Sequence, residues 1–418
     1  MGAVLRWIGI GVAVAAAVTL LVVAPGGMAP SPQPNDEAFG TSTVAVPRTT
    51  PTTDHPSTTI PTTTGPQTTT SLNVDLPEAG PIFGEETGVL LLFDDGYDGL
   101  TAFDPDRRLV ARSLVEGQRP GDEPYSMIRA GDSLVVGWGE PHAFDISSRE
   151  AMSLGVATVF VPAAEPNRVW LIDYGNRIGD HTPRVWQVDV ASGETVSDPV
   201  EVTGGYPSIG IPGGLAIQTD TGLKLWFADT QQTVALDSDD ASMAFDVFGD
   251  HLVWCSGYCT ELRVADTSTL ATEFYPAPSG HDRFLSGRFS PSGRHLAVLV
   301  GGLDVYEGEA LWLLDRDTGD ITLIGDPDSH VEFVAWSPDG GQVFATSHGS
   351  RTTVVWQYNL ANQVLTAVVL PFWGAYRPIV VDASVARAYF GEVLVDPTEC
   401  RAPGSFPSRR SGICTYGL

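Results

Sequence analysis

Positive charge is what this 418-residue chain has least of. Lys224 is its only lysine, and 23 bases stand against 51 acids, a formal net charge of −28. A surface this negative repels phosphate backbones, which argues against nucleic acid as a partner. It would attract cations or a basic protein, and it also serves plain solubility. Catalytic signatures are missing too. There is no G-x-S-x-G nucleophile elbow, no H-E-x-x-H zinc helix and no G-x-x-x-x-G-K phosphate loop. The eight histidines, at 55, 142, 181, 251, 281, 295, 330 and 348, form no close pair at ligand spacing. No Asn-x-Ser/Thr acceptor occurs, and beyond about Pro81 no stretch holds a 3.6-residue apolar period over a dozen positions. These gaps leave no catalytic, cofactor-binding or metal-binding residue to nominate.

What is present begins with an apolar segment. Residues 1–6 carry one positive charge, at Arg6, and residues 7–24 are apolar or small apart from Thr19. Eighteen helical residues reach roughly 27 Å, close to the hydrocarbon thickness of a bilayer. Arg6 before the run, with Asp36 and Glu37 after it, orients the N-terminus to the cytoplasm and the rest outside. Two readings compete: an uncleaved single-pass anchor in the cell membrane, and a signal peptide cut after Gly27-Met28-Ala29, with Pro30 unfavourable for cleavage. The longer apolar run favours the anchor. No cysteine lies near it, so a lipid-modified N-terminal cysteine is excluded.

Residues 25–80 form a linker. Residues 41–71 are dominated by Thr, Pro and Ser, with prolines at 47, 51, 56, 61 and 66. Too little apolar surface is available there to offset ordering entropy. The prolines keep such a chain extended, so 31 residues span on the order of 100 Å. The segment reads as a disordered stalk, either a plain spacer or an O-glycosylated one.

From residue 81 to 396 the texture becomes short apolar strands separated by Gly, Pro, Asp and Asn. Two markers recur. An Asp or Asn closes an apolar strand at Asp104, Asp145, Asp189, Asp229, Asp266, Asp315 and Asn359. A turn opens the next strand at Gly131-Asp132, Pro166-Asn167, Gly213-Gly214, Gly249-Asp250, Ser292-Gly293 and Gly340-Gly341. The markers interleave in phase at about 42 residues per unit. Seven units, each a four-stranded antiparallel sheet, predict an all-β, seven-bladed β-propeller, since a single sheet buries its faces only by packing on neighbours in a ring. The first unit lacks an opening strand, and Pro378–Asp382 or Ala388–Phe390 is expected to supply it and close the ring. The competing count is eight blades, with 372–396 as a degenerate unit.

Two lines of the sequence are near copies: Phe289-Ser-Pro-Ser-Gly-Arg-His-Leu-Ala297 and Trp336-Ser-Pro-Asp-Gly-Gly-Gln-Val-Phe344. They resemble the F/W-S-P-D-G-x-x-L/I-A/V signature of WD-repeat-like and TolB-like β-propellers. The motif covers two units; elsewhere the likeness is one of spacing, and the Trp-Asp dipeptide of WD repeats is absent. The resemblance implies a binding platform, or an envelope scaffold working in a larger complex.

Cys255, Cys259, Cys400 and Cys414 are the only cysteines. An even set outside the cytoplasm argues for disulfides in one of three connectivities. The local one, Cys255–Cys259 and Cys400–Cys414, is favoured, because Gly257 lets the short loop turn back and the second bridge would pin a Pro/Gly/Ser-rich tail, 397–418. A loop of that second length is worth about 3 kcal/mol in the chain-entropy picture. Asp315-Arg-Asp-Thr-Gly-Asp320 lacks the alternate acids and distal Glu of a calcium loop and reads as a hairpin turn. His251 and His295 are repeat echoes. The strand tryptophans (170, 186, 226, 254, 312, 336 and 356) are expected between blades. Trp373 and Tyr376, in a Pro/Gly-rich loop, are the one candidate binding spot.

The reading that follows is a membrane-tethered, extracytoplasmic propeller binding a protein or glycan, with no cofactor. The alternative is a propeller enzyme of lyase, lactonase or glycosidase type, with its site at the channel mouth.

Overall fold

The computed structural model describes residues 80–386 except 95–98, 115–125, 138–139, 149, 176–181, 237–241, 302–309, 326–330, 349–352 and 371–375, together with 390 and 413–417. The apolar run, the Thr/Pro linker, Trp373, Ala388 and Cys400 lie outside the described residues.

The chain builds seven antiparallel sheets, here blades 1–7, with strands a to d running from the ring's axis outward. Strand a of blades 2–7 is Ser126–Ala130, Val159–Pro162, Tyr206–Ile211, Met243–Phe248, Arg283–Phe289 and Phe333–Trp336. In blade 1 strand a is Tyr376–Asp382, which comes from the far end of the chain and pairs with Val89–Asp94. Each inner strand packs against the next, and that of blade 7 packs on Tyr376–Asp382. The count is therefore seven, and the stretch that suggested an eighth blade completes the first. Blade 1 departs from four strands: Ile413–Gly417 adds a fifth, outside Leu109–Leu114. Nothing local in the Ser/Pro/Gly-rich tail announces this strand, because its partner lies some three hundred residues earlier in the chain.

Each of the seven seams between neighbouring blades holds one hydrophobic cluster. Strand b faces a neighbour on both sides and so reads as a continuous apolar run; Leu296-Ala-Val-Leu-Val300 is buried throughout. Strand d is the exposed edge in blade 4, Gln232–Ala235, whereas that of blade 7, Val364–Leu370, is apolar and partly buried. Full burial of a Leu or Phe side chain stabilises by about 1.5–3 kcal/mol, so these seams, not the turns, hold the ring together. The tryptophans fall where expected: Trp170 meets Trp226 edge-on, ring centroids 5.9 Å apart, in the seam of blades 3 and 4.

The strand order gives the ring two faces. The a–b and c–d connections lie on one, here the turn face. The b–c and d–a connections lie on the other, the loop face.

Candidate functional site

Every marker found in the sequence lands on the turn face, and each has a local reason. The strand-closing acids cap the c–d turns. Asp145 Oδ1 accepts from the N–H groups of Ser147 (2.9 Å) and Ser148 (2.6 Å). Asp189 Oδ1 does the same with Ala191 and Ser192, and Asp266 Oδ1 with Ser268 and Thr269. Asp104, Asp315 and Asn359 repeat the arrangement. Asp229 departs from it, since its strand already ends at Phe227. At Asp145, Asp189 and Asp266 these side-chain turns lower the carboxyl pKa. The Ser268 hydroxyl and Thr269 N–H bring Asp266 down to about 2, and the Ser147 hydroxyl lowers Asp145. The Asp315–Asp320 stretch is the c–d turn of blade 6; Arg294 holds Asp315 at 2.7 Å and lowers its pKa.

The Ser-Pro-x-Gly motif makes the a–b turns of blades 6 and 7. The buried Ser337 hydroxyl accepts the N–H of Gln342 at 2.9 Å, and Ser290 accepts that of His295 at 3.1 Å. Gly293 has φ 73° and stands so close to blade 5 that a Cβ there would meet the Phe248 ring at 2.2 Å. His295 stacks on Trp336 (6.3 Å) beside Asp315, while His251 opens strand b of blade 5, half-buried.

At the axis, the inner strands of blades 1, 4, 5 and 6 carry β-bulges. The bulge in blade 5 re-aims Asp246 toward blade 6, where it accepts the Phe289 N–H at 2.8 Å with Arg288 alongside. Burial raises its pKa in spite of Arg288. Trp336 Nε1 donates to Arg288 O, and Arg129 Nη1 to Val380 O, so neighbouring inner strands are tied by side chains. Among the described residues no group of three His, Cys, Asp or Glu stands at metal-holding distance.

The turn face also receives the chain. Ile82 N donates to Pro105 O, and Arg108 Nε donates to Gly80 O at 2.7 Å. Ile82 and Phe83 are buried in the seam of blades 7 and 1, Phe83 edge-on to Phe344. Glu85 accepts from Asn359 Nδ2, and Thr87 accepts from Gln342 and donates to Asp106. Gly417 pairs with Leu109, next to Arg108, so both ends of the described ring leave from one place on this face.

The loop face is built differently. Blade 5's b–c turn joins Cys255 to Cys259, with Cα atoms 4.6 Å apart. Gly257, Tyr258 and Cys259 all have positive φ, and Cys259 O accepts the Phe284 N–H of blade 6 at 2.7 Å. His281 lies edge-on to Trp312 at 5.6 Å, with burial lowering the histidine's pKa. Tyr174 and Tyr206 meet at 6.1 Å, and burial pushes the Tyr174 hydroxyl far up. The Tyr376 backbone opens the closing strand opposite Asp94, without its companion Trp373 among the described residues. Cys414 lies on the fifth strand of blade 1, opposite Arg112. No helix among the described residues is long and apolar enough to cross a membrane.

No family model matches the chain, and no curated protein matches it by sequence. Solved structures similar to it include TolB from Acinetobacter baumannii, at 10% identity over 68% of this chain and 79% of that one, with a TM-score of 0.42. An oligogalacturonate lyase in complex with manganese is 14% identical over 63% of this chain and 82% of its own, with a TM-score of 0.46. Apo AztD from Citrobacter koseri is 14% identical over 70% and 89%, with a TM-score of 0.42. Likeness at this level carries no functional argument.

Proposed function

We propose that the chain is a tethered β-propeller of the WD-repeat-like and TolB-like kind. Residues 7–24 cross the membrane once, residues 25–80 space the ring from it, and the ring binds a protein or glycan outside the cytoplasm. One observation carries the reading: the chain arrives from residue 80 on the turn face and is fastened there by two buried side chains and by hydrogen bonds to blades 1 and 7. A ring held that way presents its opposite face to whatever lies beyond the tether. The disulfides in this reading are Cys255–Cys259 and Cys400–Cys414.

Protease treatment of intact cells tests the topology. A ring outside and anchored is released into the medium by cleavage in the linker. A ring found in the medium without protease indicates a cleaved signal peptide, and a ring protected until the cells are lysed overturns the reading. Non-reducing mass spectrometry tests the bridges: the unreduced chain is expected to be lighter than the reduced one by four hydrogens.

A further inference from the structure

We infer that the b–c turn of blade 5, with Tyr258 at its tip, is a docking knuckle for a partner protein that presents a basic segment. The inference deepens the binding-head reading and rests on it.

Four observations converge. The first is exposure. Among the large hydrophobic residues described, Val156 (76% exposed) and Tyr258 (73%) are the most exposed, and both lie on the loop face. A single exposed apolar residue is ordinary on a protein surface, so the exposure counts only together with the rigidity of the turn that carries it.

The second is rigidity. Tyr258 sits at φ 60°, a backbone region that a bulky side chain rarely adopts. The turn is held on three sides: by Cys255–Cys259, by the Thr260 hydroxyl donating to Gly257 O, and by the bond from Phe284 N to Cys259 O. An anchor already fixed loses little freedom on binding.

The third is the neighbourhood. The bond to Phe284 brings the knuckle against the opening of blade 6's inner strand, where Asp282 and Arg283 immediately precede Phe284. Arg283 therefore adjoins the knuckle, and Tyr and Arg are residue types enriched at interface hot spots.

The fourth is charge, and it selects the partner. On the turn side, Arg107 pairs with Asp104, Arg294 with Asp315 and Asp317, and Arg316 with Glu273. Acids without an ion pair among the described residues stand on both faces: Asp145, Asp189 and Asp266 on the turn face, Glu140, Asp173, Asp220 and Asp282 on the loop face. With a net charge of −28 on the chain, acids that no base offsets favour Lys and Arg, and the Tyr258 ring offers a cation a face to lie on.

The experiment is a selection of random peptides displayed on phage against the purified full chain in detergent. Selected peptides are expected to be rich in Lys and Arg, to bind more weakly as salt rises, and to lose about tenfold or more in affinity against Tyr258→Ser. Val196→Ser, an exposed apolar residue on the turn face, serves as the control and is expected to bind as the parent does. Peptides that bind Tyr258→Ser as well as the parent, or that carry no basic residues, overturn the knuckle and leave the binding head standing. A selection that yields no binder overturns both. Because the assay uses purified protein, it does not depend on the tethering.

Discussion

The two faces of the ring are made from the same strands and obey different rules. On the turn face the connections are nearly copies of one another: an Asp or Asn capping the c–d turn of every blade but blade 4, short a–b turns, arginines paired to acids, and the chain ends tucked alongside. On the loop face the connections differ in length. That of blade 4 runs only from Thr219 to Gly222, whereas the one from blade 1 to blade 2 runs from Leu114 to Ser126. Repetition marks the face where turn chemistry alone decides the residue, and irregularity marks the face where something else does.

That contrast can be broken or sharpened by substitution. The largest effect is expected at the seal on the turn face. Phe83→Ala should cost about 3 kcal/mol, because a ring buried against Phe344 leaves a cavity in the seam of blades 7 and 1. A denaturant midpoint equal to the parent's would mean that residues 81–88 only rest on the ring. Next comes Gly293→Ala, expected to cost about 2 kcal/mol, since both the backbone angle and the Phe248 ring oppose a Cβ.

Acid should act on the same face. Asp145, Asp189 and Asp315 have lowered pKa values, and Asp266 sits at about 2. The stability these carboxylates contribute is complete above the unfolded value of about 4 and is lost as pH falls through the folded values. Asp246 runs the other way. Its pKa is raised, so its penalty is absent in acid and grows as pH rises from the unfolded value through the folded one. Asp246→Asn should therefore steepen the gain in melting temperature on going from pH 3 to pH 6; an unchanged slope would remove Asp246 from the balance. The smallest effect belongs to the loop face. Val156→Ser and Tyr258→Ser should each change stability by less than about 0.5 kcal/mol, and a larger loss at Tyr258 would make the ring a packing residue.

The same contrast explains what could be read from the chain alone. Asp104, Asp145, Asp189, Asp266, Asp315 and Asn359 were legible because each acts on N–H groups two or three residues away, and a local cause leaves a local signature. Of the closing strand, Pro378–Asp382 was legible as an apolar run, with Ala388–Phe390 as its rival for the same place. Ile413–Gly417 was hidden because its register is set by Leu109–Ser113, far away in sequence. Phe83 was hidden for the same reason, since its packing partner is Phe344. Tyr258 shows the limit most clearly. In the sequence it is the residue before a cysteine, and only folding shows that it points into water on a turn that cannot relax.

The seal at residues 80–88 has a mechanical consequence. A pull transmitted along the chain from residue 80 reaches Ile82 and Phe83 first, wedged between blades 7 and 1, and only afterwards the ladder between Val89–Asp94 and Tyr376–Asp382. Tension would have to drag two side chains out of an apolar slot before it could begin to unzip the ring.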